Sequence, residues 1–504
     1  MKTKITILFF IFILSVSSGQ IYYPFNSFHD FRTKLDSVAN ITDETQRNNS
    51  LGTFWDTLKA HHKIPFTLGD SVVFLYRGNV SSVVWAGDFN GWDPTKGGFT
   101  GTKIGLSNIW SCYKSFPTKA RLDYKIVLGS NWIMDPDNIF SQYSGVGTTN
   151  SELRMPEWVY PEVTINKPGI TRGIFSNNFT INSTNLGYTV YYRVYTPYDY
   201  ETLSNLPVIY VTDGQEYSDE RMGSMITVLD NLIYEKKIKP IVAVFIDPRN
   251  LSVSEDTNRR MSEYVGNKKF ADFVADELVP NIDSRYKTNK SSDARAILGT
   301  SLGGINSAYF GAYRNDKFHL IGIHSPAFWY YQQIYNMYSN AAKLPLKIFM
   351  STGTIFDTQD YALQMKSILD SKGYPLMYIE VPEGHSWGNW RSLLDEPLIY
   401  FFKDEISTGM IKEKEVPSEI KFGNYPNPFN PATKIWFTLT KNSAVTLDVF
   451  NSIGEKVDTL ISDKEMNAGF HTVDFDALNF SSGVYLCRLT SRDFRLSRKI
   501  LFIK

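Results

Sequence analysis

The 504-residue chain is 42% hydrophobic, so it is globular rather than disordered, and it is too long for one core. Its 52 Lys plus Arg balance 52 Asp plus Glu, which excludes the basic field that draws nucleic acid or an acidic surface and is compatible with a neutral polymeric substrate. Three folded units are expected. Lys2 and Lys4 precede an apolar run over 5–16, and Ser17-Ser18-Gly19 supply small residues before Gln20, so residues 1–19 read as a secretory signal peptide. No later stretch reaches the ~18 apolar residues of a spanning helix, so the mature chain is expected to lack a transmembrane segment. No cysteine lies near the cleavage point, which argues against a lipoprotein. The two cysteines, Cys112 and Cys487, fall in different proposed domains, which argues against a disulfide framework.

After the signal, a helical segment is expected within 20–65. Residues 25–58 carry the periodicity, with Phe28, Phe31, Leu35 and Val38 on one face. The adjacent His61-His62 do not share a helical face and have no third ligand in reach, so no metal site is assigned. Within 66–160 the pattern changes to short strands at 72–76, 83–86, 110–116 and 122–127, separated by Gly, Asn and Asp turns, as in a small β-sandwich. Val84-Trp85-Ala86-Gly87-Asp88-Phe89-Asn90-Gly91-Trp92, then Tyr124-Lys125-Ile126-Val127 and Asp135-Pro136-Asp137, resemble carbohydrate-binding module family 48. The resemblance implies an immunoglobulin-like sandwich and glycan contact through Trp92 or Trp132; packing of these aromatics in the sandwich core is the competing reading.

Strands and helices alternate over 178–402, inside a domain bounded at 170–406. Strands are read at 188–195, 208–211, 241–246, 295–298, 320–323, 347–351 and 376–381, and helices at 222–235, 268–286 and 361–371. This alternation predicts a mainly parallel sheet wrapped by helices. Gly299-Thr300-Ser301-Leu302-Gly303-Gly304 sits between a strand and a helix, the setting of a nucleophile elbow, where the two glycines let a strained serine turn tightly. Ser301 is therefore the candidate nucleophile. His385, one of seven histidines, follows the strand 376–381 and is the candidate general base. The acid comes from the loop after 347–351. Asp357 is assigned the role, Asp360 is the alternative, and an aspartate here would also cap the helix 361–371. The oxyanion hole is assigned to the backbone N–H groups of Leu302 and of Gln215, which follows the strand 208–211.

Asp213-Gly214, Phe245-Ile246-Asp247-Pro248, Arg260 with Glu263-Tyr264, Asp276-Glu277-Leu278-Val279-Pro280, the Gly299–Gly304 motif and Gly384-His385-Ser386-Trp387-Gly388-Asn389-Trp390-Arg391 together resemble the esterase D family. That family joins enterochelin-esterase-like proteins to carbohydrate esterase family 1. The resemblance implies cofactor-free, metal-independent ester hydrolysis through an acyl-enzyme on Ser301, Asp357 and His385. Arg260 is expected either to pair with Glu263 or to touch substrate. Trp329 and Tyr330, in Phe328-Trp329-Tyr330-Tyr331, are expected either to wall the substrate pocket or to pack as core or lid; Trp387 and Trp390 are expected to hold the histidine loop rigid.

Residues 407–420 read as a linker. The tail, 421–504, opens with Asn424-Tyr425-Pro426-Asn427-Pro428-Phe429-Asn430-Pro431 and ends with Arg498-Lys499-Ile500-Leu501-Phe502-Ile503-Lys504. It resembles the C-terminal sorting domain of the type IX secretion system, which implies that machinery as a partner, transfer across both membranes and a secreted or surface-attached product. The expected architecture is thus an α/β-hydrolase flanked by an N-terminal immunoglobulin-like β-sandwich and a small C-terminal β-sandwich. The expected function is a secreted serine esterase acting on feruloyl or acetyl esters of polysaccharides. A siderophore esterase, a glycan-binding protein with a silent hydrolase scaffold, and an acyltransferase using the same triad remain alternatives.

Overall fold

The computed structural model describes residues 25–144, 148–254, 257–404, 420–425 and 427–503. The expected signal peptide, and the expected linker apart from residue 420, lie outside them. The helical segment is two helices, Phe28–Ala39 and Glu44–Ala60, rather than one continuous periodicity. Ser27 Oγ accepts the Asp30 N–H, and the Asp43 carboxylate accepts the Gln46 N–H, so a second N-cap restarts the helix where the first has ended at Asn40. Phe31, Leu35 and Val38 are buried as the spacing predicts, and Phe28 is half-buried against them.

The sandwich has one sheet ordered Phe66–Leu68, Ser71–Arg77, Ile109–Ser115, Thr102–Lys103. The other is ordered Val84–Gly87, Arg121–Leu128, Thr149–Arg154, Ser141–Tyr143, with Asn131–Ile133 paired to Arg121–Leu128. Val72 and Phe74 face the second sheet, while Val73 and Leu75 face the two helices. Burial on both faces explains why this strand reads as an unbroken apolar run instead of alternating.

The third region carries a nine-stranded sheet in the order Ile174–Phe175, Thr189–Thr196, Val242–Asp247, Val208–Val211, Arg295–Thr300, Leu320–His324, Lys347–Gly353, Leu376–Val381, with Phe179–Asn182 paired to Thr189–Thr196. Thr189–Thr196 is antiparallel to Val242–Asp247, and the pairs from there to Leu376–Val381 are parallel. Apolar cores lie on both faces, as expected of a doubly wound α/β fold. Thr300 pairs with His324 and His324 with Ser351, so the first two strands end level with one another and the third runs on to Gly353. Residues just past that edge are the ones such sheets use for chemistry.

The described residues up to Lys403 form one compact unit and those from Asp404 a second, so the sandwich and the α/β sheet pack within the same unit. The second unit pairs a three-stranded sheet, Phe422–Tyr425, Ala432–Leu439 and Gly469–Asp476, with a four-stranded sheet, Lys456–Met466, Ser443–Phe450, Gly483–Ser491 and Arg495–Phe502. Its alternate residues, Val445, Leu447 and Val449 among them, fill one core. Both cysteines are buried, Cys112 in the first unit and Cys487 in the second.

Phe31 is fully buried and stacks on Phe66 at 3.9 Å between ring centroids. Phe31→Ala should therefore lower unfolding stability by about 3–5 kcal/mol, measured by chemical denaturation. His324 is fully buried with Nδ1 2.7 Å from Ser351 Oγ, and burial pushes its pKa from 6.5 down to about 3. The unfolded chain then takes this proton first, so the stability held above pH 6.5 is lost as pH falls toward 3. In His324→Asn, the difference in unfolding free energy between pH 7 and pH 5 should shrink by about 2 kcal/mol.

Candidate active site

The strand Arg295–Thr300 is buried along its whole length, and the chain leaves it through Ser301 at φ 58°, ψ −113° before entering the helix Leu302–Tyr313. A non-glycine residue in that region stores about 1–3 kcal/mol of strain, so its surroundings must hold it there. They do so through the backbone: the Ser301 N–H donates to His324 O at 2.9 Å, and the Ala327 N–H donates to Ser301 O at 3.1 Å. A Cβ at Gly299 would overlap Gly303 O and Thr212 Oγ1, and one at Gly303 would overlap Thr212 Oγ1. The G-x-S-x-G spacing is thus a steric requirement of this turn.

Beyond the same sheet edge stand the other two residues expected of a triad. His385 Nε2 lies 2.9 Å from Ser301 Oγ, and Nδ1 lies 2.6 Å from Asp357 Oδ1. The second oxygen of Asp357 accepts the Ser325 hydroxyl at 2.6 Å and the Gly353 N–H at 2.5 Å, and the carboxylate is wholly shielded from solvent. Asp360 is exposed in the first turn of the helix Gln359–Ser371, whose N-cap is Thr358, so neither aspartate caps that helix and Asp360 stands outside the cluster. Trp390 meets the His385 ring edge-on at 5.0 Å and Trp387 at 5.3 Å. Trp387 Nε1 also donates to Glu216 Oε2 at 2.7 Å. Both tryptophans brace the histidine loop, as expected.

Leu302 and Gln215 each lie in the first turn of a helix, where backbone N–H groups have no intrahelical acceptor. The turn carrying Gln215 is set by Asp213, which is buried at φ 54°. Arg260 donates to both Asp213 oxygens, at 2.7 and 3.0 Å, and the Asp213 N–H donates to Tyr264 Oη at 3.1 Å. Arg260 therefore pairs with Asp213 and not with Glu263 as sequence suggested. Glu263 is buried on the other side, where it accepts the Tyr188 hydroxyl at 2.7 Å, and burial pushes its carboxyl up to about 7. Adjacency in sequence favoured the wrong partner because the correct one is 47 residues away.

Ser301 and His385 open into a cavity of about 460 Å³. From the α/β region, Glu216, Arg260, Trp387 and Trp390 line it; from the sandwich, Asp88, Trp92, Asp123, Lys125, Trp132 and Asn150 do. The sandwich is therefore one wall of the same cavity, with Trp92 and Trp132 near-parallel at 6.5 Å and 21°. Trp92 is half-buried with its Nε1 donating to Asp88 Oδ1 at 3.1 Å, and Trp132 is 42% exposed, so neither belongs to the sandwich core. Burial pushes Asp88 and Glu216 each up to about 7. Trp329 and Tyr330, by contrast, are 40% and 51% exposed on a short turn outside this lining, with Trp329 against Tyr361 at 5.4 Å. Sequence reasoning did not single out Asp88, Asp123, Lys125 and Asn150 as lining residues; Asp88 and Lys125 stand in the module-like motif, and Asp123 and Asn150 sit on the strands Arg121–Leu128 and Thr149–Arg154 with no local signal.

Residues 183–401 match the Esterase family, described as "Putative esterase", and residues 424–504 match the "Secretion system C-terminal sorting domain" family. Among characterised relatives, an endo-1,4-beta-xylanase/feruloyl esterase of Xylanibacter ruminicola is 28% identical over 139 residues, 26% of this chain and 19% of that protein. The iron(III) enterobactin esterase of Escherichia coli is 25% identical over 204 residues, 39% of this chain and 47% of that protein. The chain thus spans less than half the length of either relative. The crystal structure of the enterobactin esterase of Shigella flexneri superposes with a TM-score of 0.54 at 19% identity, covering 65% of this chain and 92% of that one, which establishes the shared α/β fold. Residues 183–401 are accordingly an esterase-family domain, a carboxylic-ester hydrolase, and residues 424–504 are a type IX C-terminal sorting domain.

Proposed function

We propose that the protein is an exported serine esterase whose nucleophile is Ser301, whose general base is His385 and whose orienting acid is Asp357. One observation carries this reading: a continuous hydrogen-bonded line from Ser301 Oγ through both nitrogens of His385 to a shielded carboxylate, built on a strained elbow. With the ring proton on Nδ1 facing Asp357, Nε2 is free to take the serine proton as Oγ attacks the ester carbonyl. The Leu302 and Gln215 N–H groups receive the oxyanion, each worth about 3 kcal/mol in the transition state. His385 then returns the proton to the departing alcohol, and a water attacks the acyl-serine by the same relay.

The substrate class is feruloyl or acetyl esters of polysaccharides. The tryptophan pair in the cavity wall supports it, since indole faces suit sugars and aromatic acids alike. The lining supports it too: three acids, Asp88, Asp123 and Glu216, meet two bases, Lys125 and Arg260. An iron(III) catecholate siderophore is anionic, and of the two bases Arg260 is already paired with Asp213. The fold likeness to enterobactin esterases is the observation that favours that second reading. Export through the sorting domain supports turnover outside the cytoplasm, on the cell surface or beyond it across both membranes, where polysaccharide is met. Arg260, which faces the cavity while bracing Asp213, is assigned a substrate contact.

Ser301→Ala should reduce hydrolysis of p-nitrophenyl acetate, methyl ferulate and acetylated xylan by at least about a thousandfold without loss of folding. An undiminished rate on any of them would remove Ser301 from the mechanism. Trp92→Ala and Trp132→Ala should each raise KM for methyl ferulate or acetylated xylan by about threefold to tenfold while leaving p-nitrophenyl acetate nearly untouched. Equal effects on all three esters would mean that the indoles shape the cavity without reading the substrate.

A further inference from the structure

The loop that carries His385 is held from the sandwich side. Arg121, on the strand Arg121–Leu128, is fully buried, and its planar fork is fully engaged: Nε with Glu152, Nη2 with Asp123, and Nη1 donating to Ser386 Oγ at 2.9 Å. Nη1 also lies 3.8 Å from Glu383 Oε2, and the backbones of Arg121 and Glu383 form a parallel β-bridge. The residue before His385, Gly384, lies so close to the sandwich that a Cβ there would overlap the Asp88 carboxylate. A Cβ at Gly388, in the helix after it, would overlap the Arg121 guanidinium. His385 is thus flanked on both sides by residues fitted against the sandwich.

The acid loop docks there as well. Ile355 packs against the sandwich core, Lys96 Nζ sits 4.3 Å above the Phe356 ring, and the Ile355 N–H donates to Glu383 O at 3.2 Å. Burying one guanidinium among Asp123, Glu152 and Glu383 is expensive, and an apolar cluster of equal volume would serve stability as well or better. What an apolar cluster would not supply is direction. A guanidinium donates from fixed positions in one plane, so acids on the sandwich determine where its third arm meets Ser386.

We propose that Arg121 is a positioning residue for His385, so that the sandwich takes part in turnover by setting the base of the triad as well as by walling the cavity. The proposal rests on the esterase reading above. A displacement of ~1 Å in such a base lowers turnover by about a hundredfold, and partial loosening by proportionately less.

The test uses the full-length protein with p-nitrophenyl acetate, too small to depend on the tryptophan wall, and compares Ser386→Ala, Arg121→Lys and the double variant. Each single variant should lower kcat by about tenfold with KM within about twofold, and the rate of fluorophosphonate labelling of Ser301 should fall in step. The double variant should be no slower than Arg121→Lys alone, because both changes break one link. Unchanged kcat in Ser386→Ala, losses confined to KM, or losses that multiply in the double variant would overturn the proposal. Should Arg121→Lys fail to fold, Ser386→Ala decides alone, since it leaves every buried charge pair intact. Ser301→Ala run alongside separates the two ideas: if it is inactive while Ser386→Ala is normal, only the positioning role falls, and if it is active both fall.

Discussion

Everything at the catalytic edge hangs on one backbone constraint, a serine held in a conformation that side chains avoid. Ser301 stays at φ 58° because its N–H and carbonyl are both spoken for, by His324 O and the Ala327 N–H, and because two glycines leave room for the crossing of strand and helix. Those partners are available because the neighbouring strands are in register, with Thr300, His324 and Ser351 side by side. Sliding the strand Leu320–His324 by one residue would withdraw the acceptor from Ser301 and turn His324 to the opposite face of the sheet. The fully buried His324 and the strained serine are two sides of the same arrangement.

Electrostatics around that edge are divided by burial. The Asp357 carboxylate accepts the Ser325 hydroxyl and the Gly353 N–H; burial pushes Asp88, Glu216 and Glu263 up to about 7 and Glu383 up to about 8. Of these, Asp88 and Glu216 line the cavity, and their negative charge is reduced near neutral pH.

Much of this was legible in sequence for reasons of range. The elbow is six consecutive residues, and the spacing of its glycines is dictated by contacts within them and with Thr212. His385 and Asp357 follow strands that declare themselves by apolar runs. The break between Phe28–Ala39 and Glu44–Ala60 was hidden because apolar periodicity continues across a short turn, and only the Asp43 cap marks it. Of the two expectations for Arg260, pairing with Glu263 rests on sequence adjacency, whereas its partner Asp213 lies on the loop after Val208–Val211. Trp329 and Tyr330 looked like a pocket wall because aromatic clusters near strand ends often are; here Phe328 is the ring that turns inward, and the next two face out. Arg121 and Ser386 are 265 residues apart, and nothing in the local pattern of either points to the other.

The shared burial between sandwich and esterase sheet also bears on how this architecture divides. Family boundaries invite a cut near residue 183, which would yield a tidy catalytic module on paper. Such a fragment would bring Gly384 and Gly388 to the surface as bare backbone, strand Glu383 without its guanidinium, and leave Ile355 with no floor beneath it. The edge of the family match is not the boundary between the compact units of the described residues. Grafting this sheet onto a different front domain would require transplanting the Arg121 fork together with the acids that aim it.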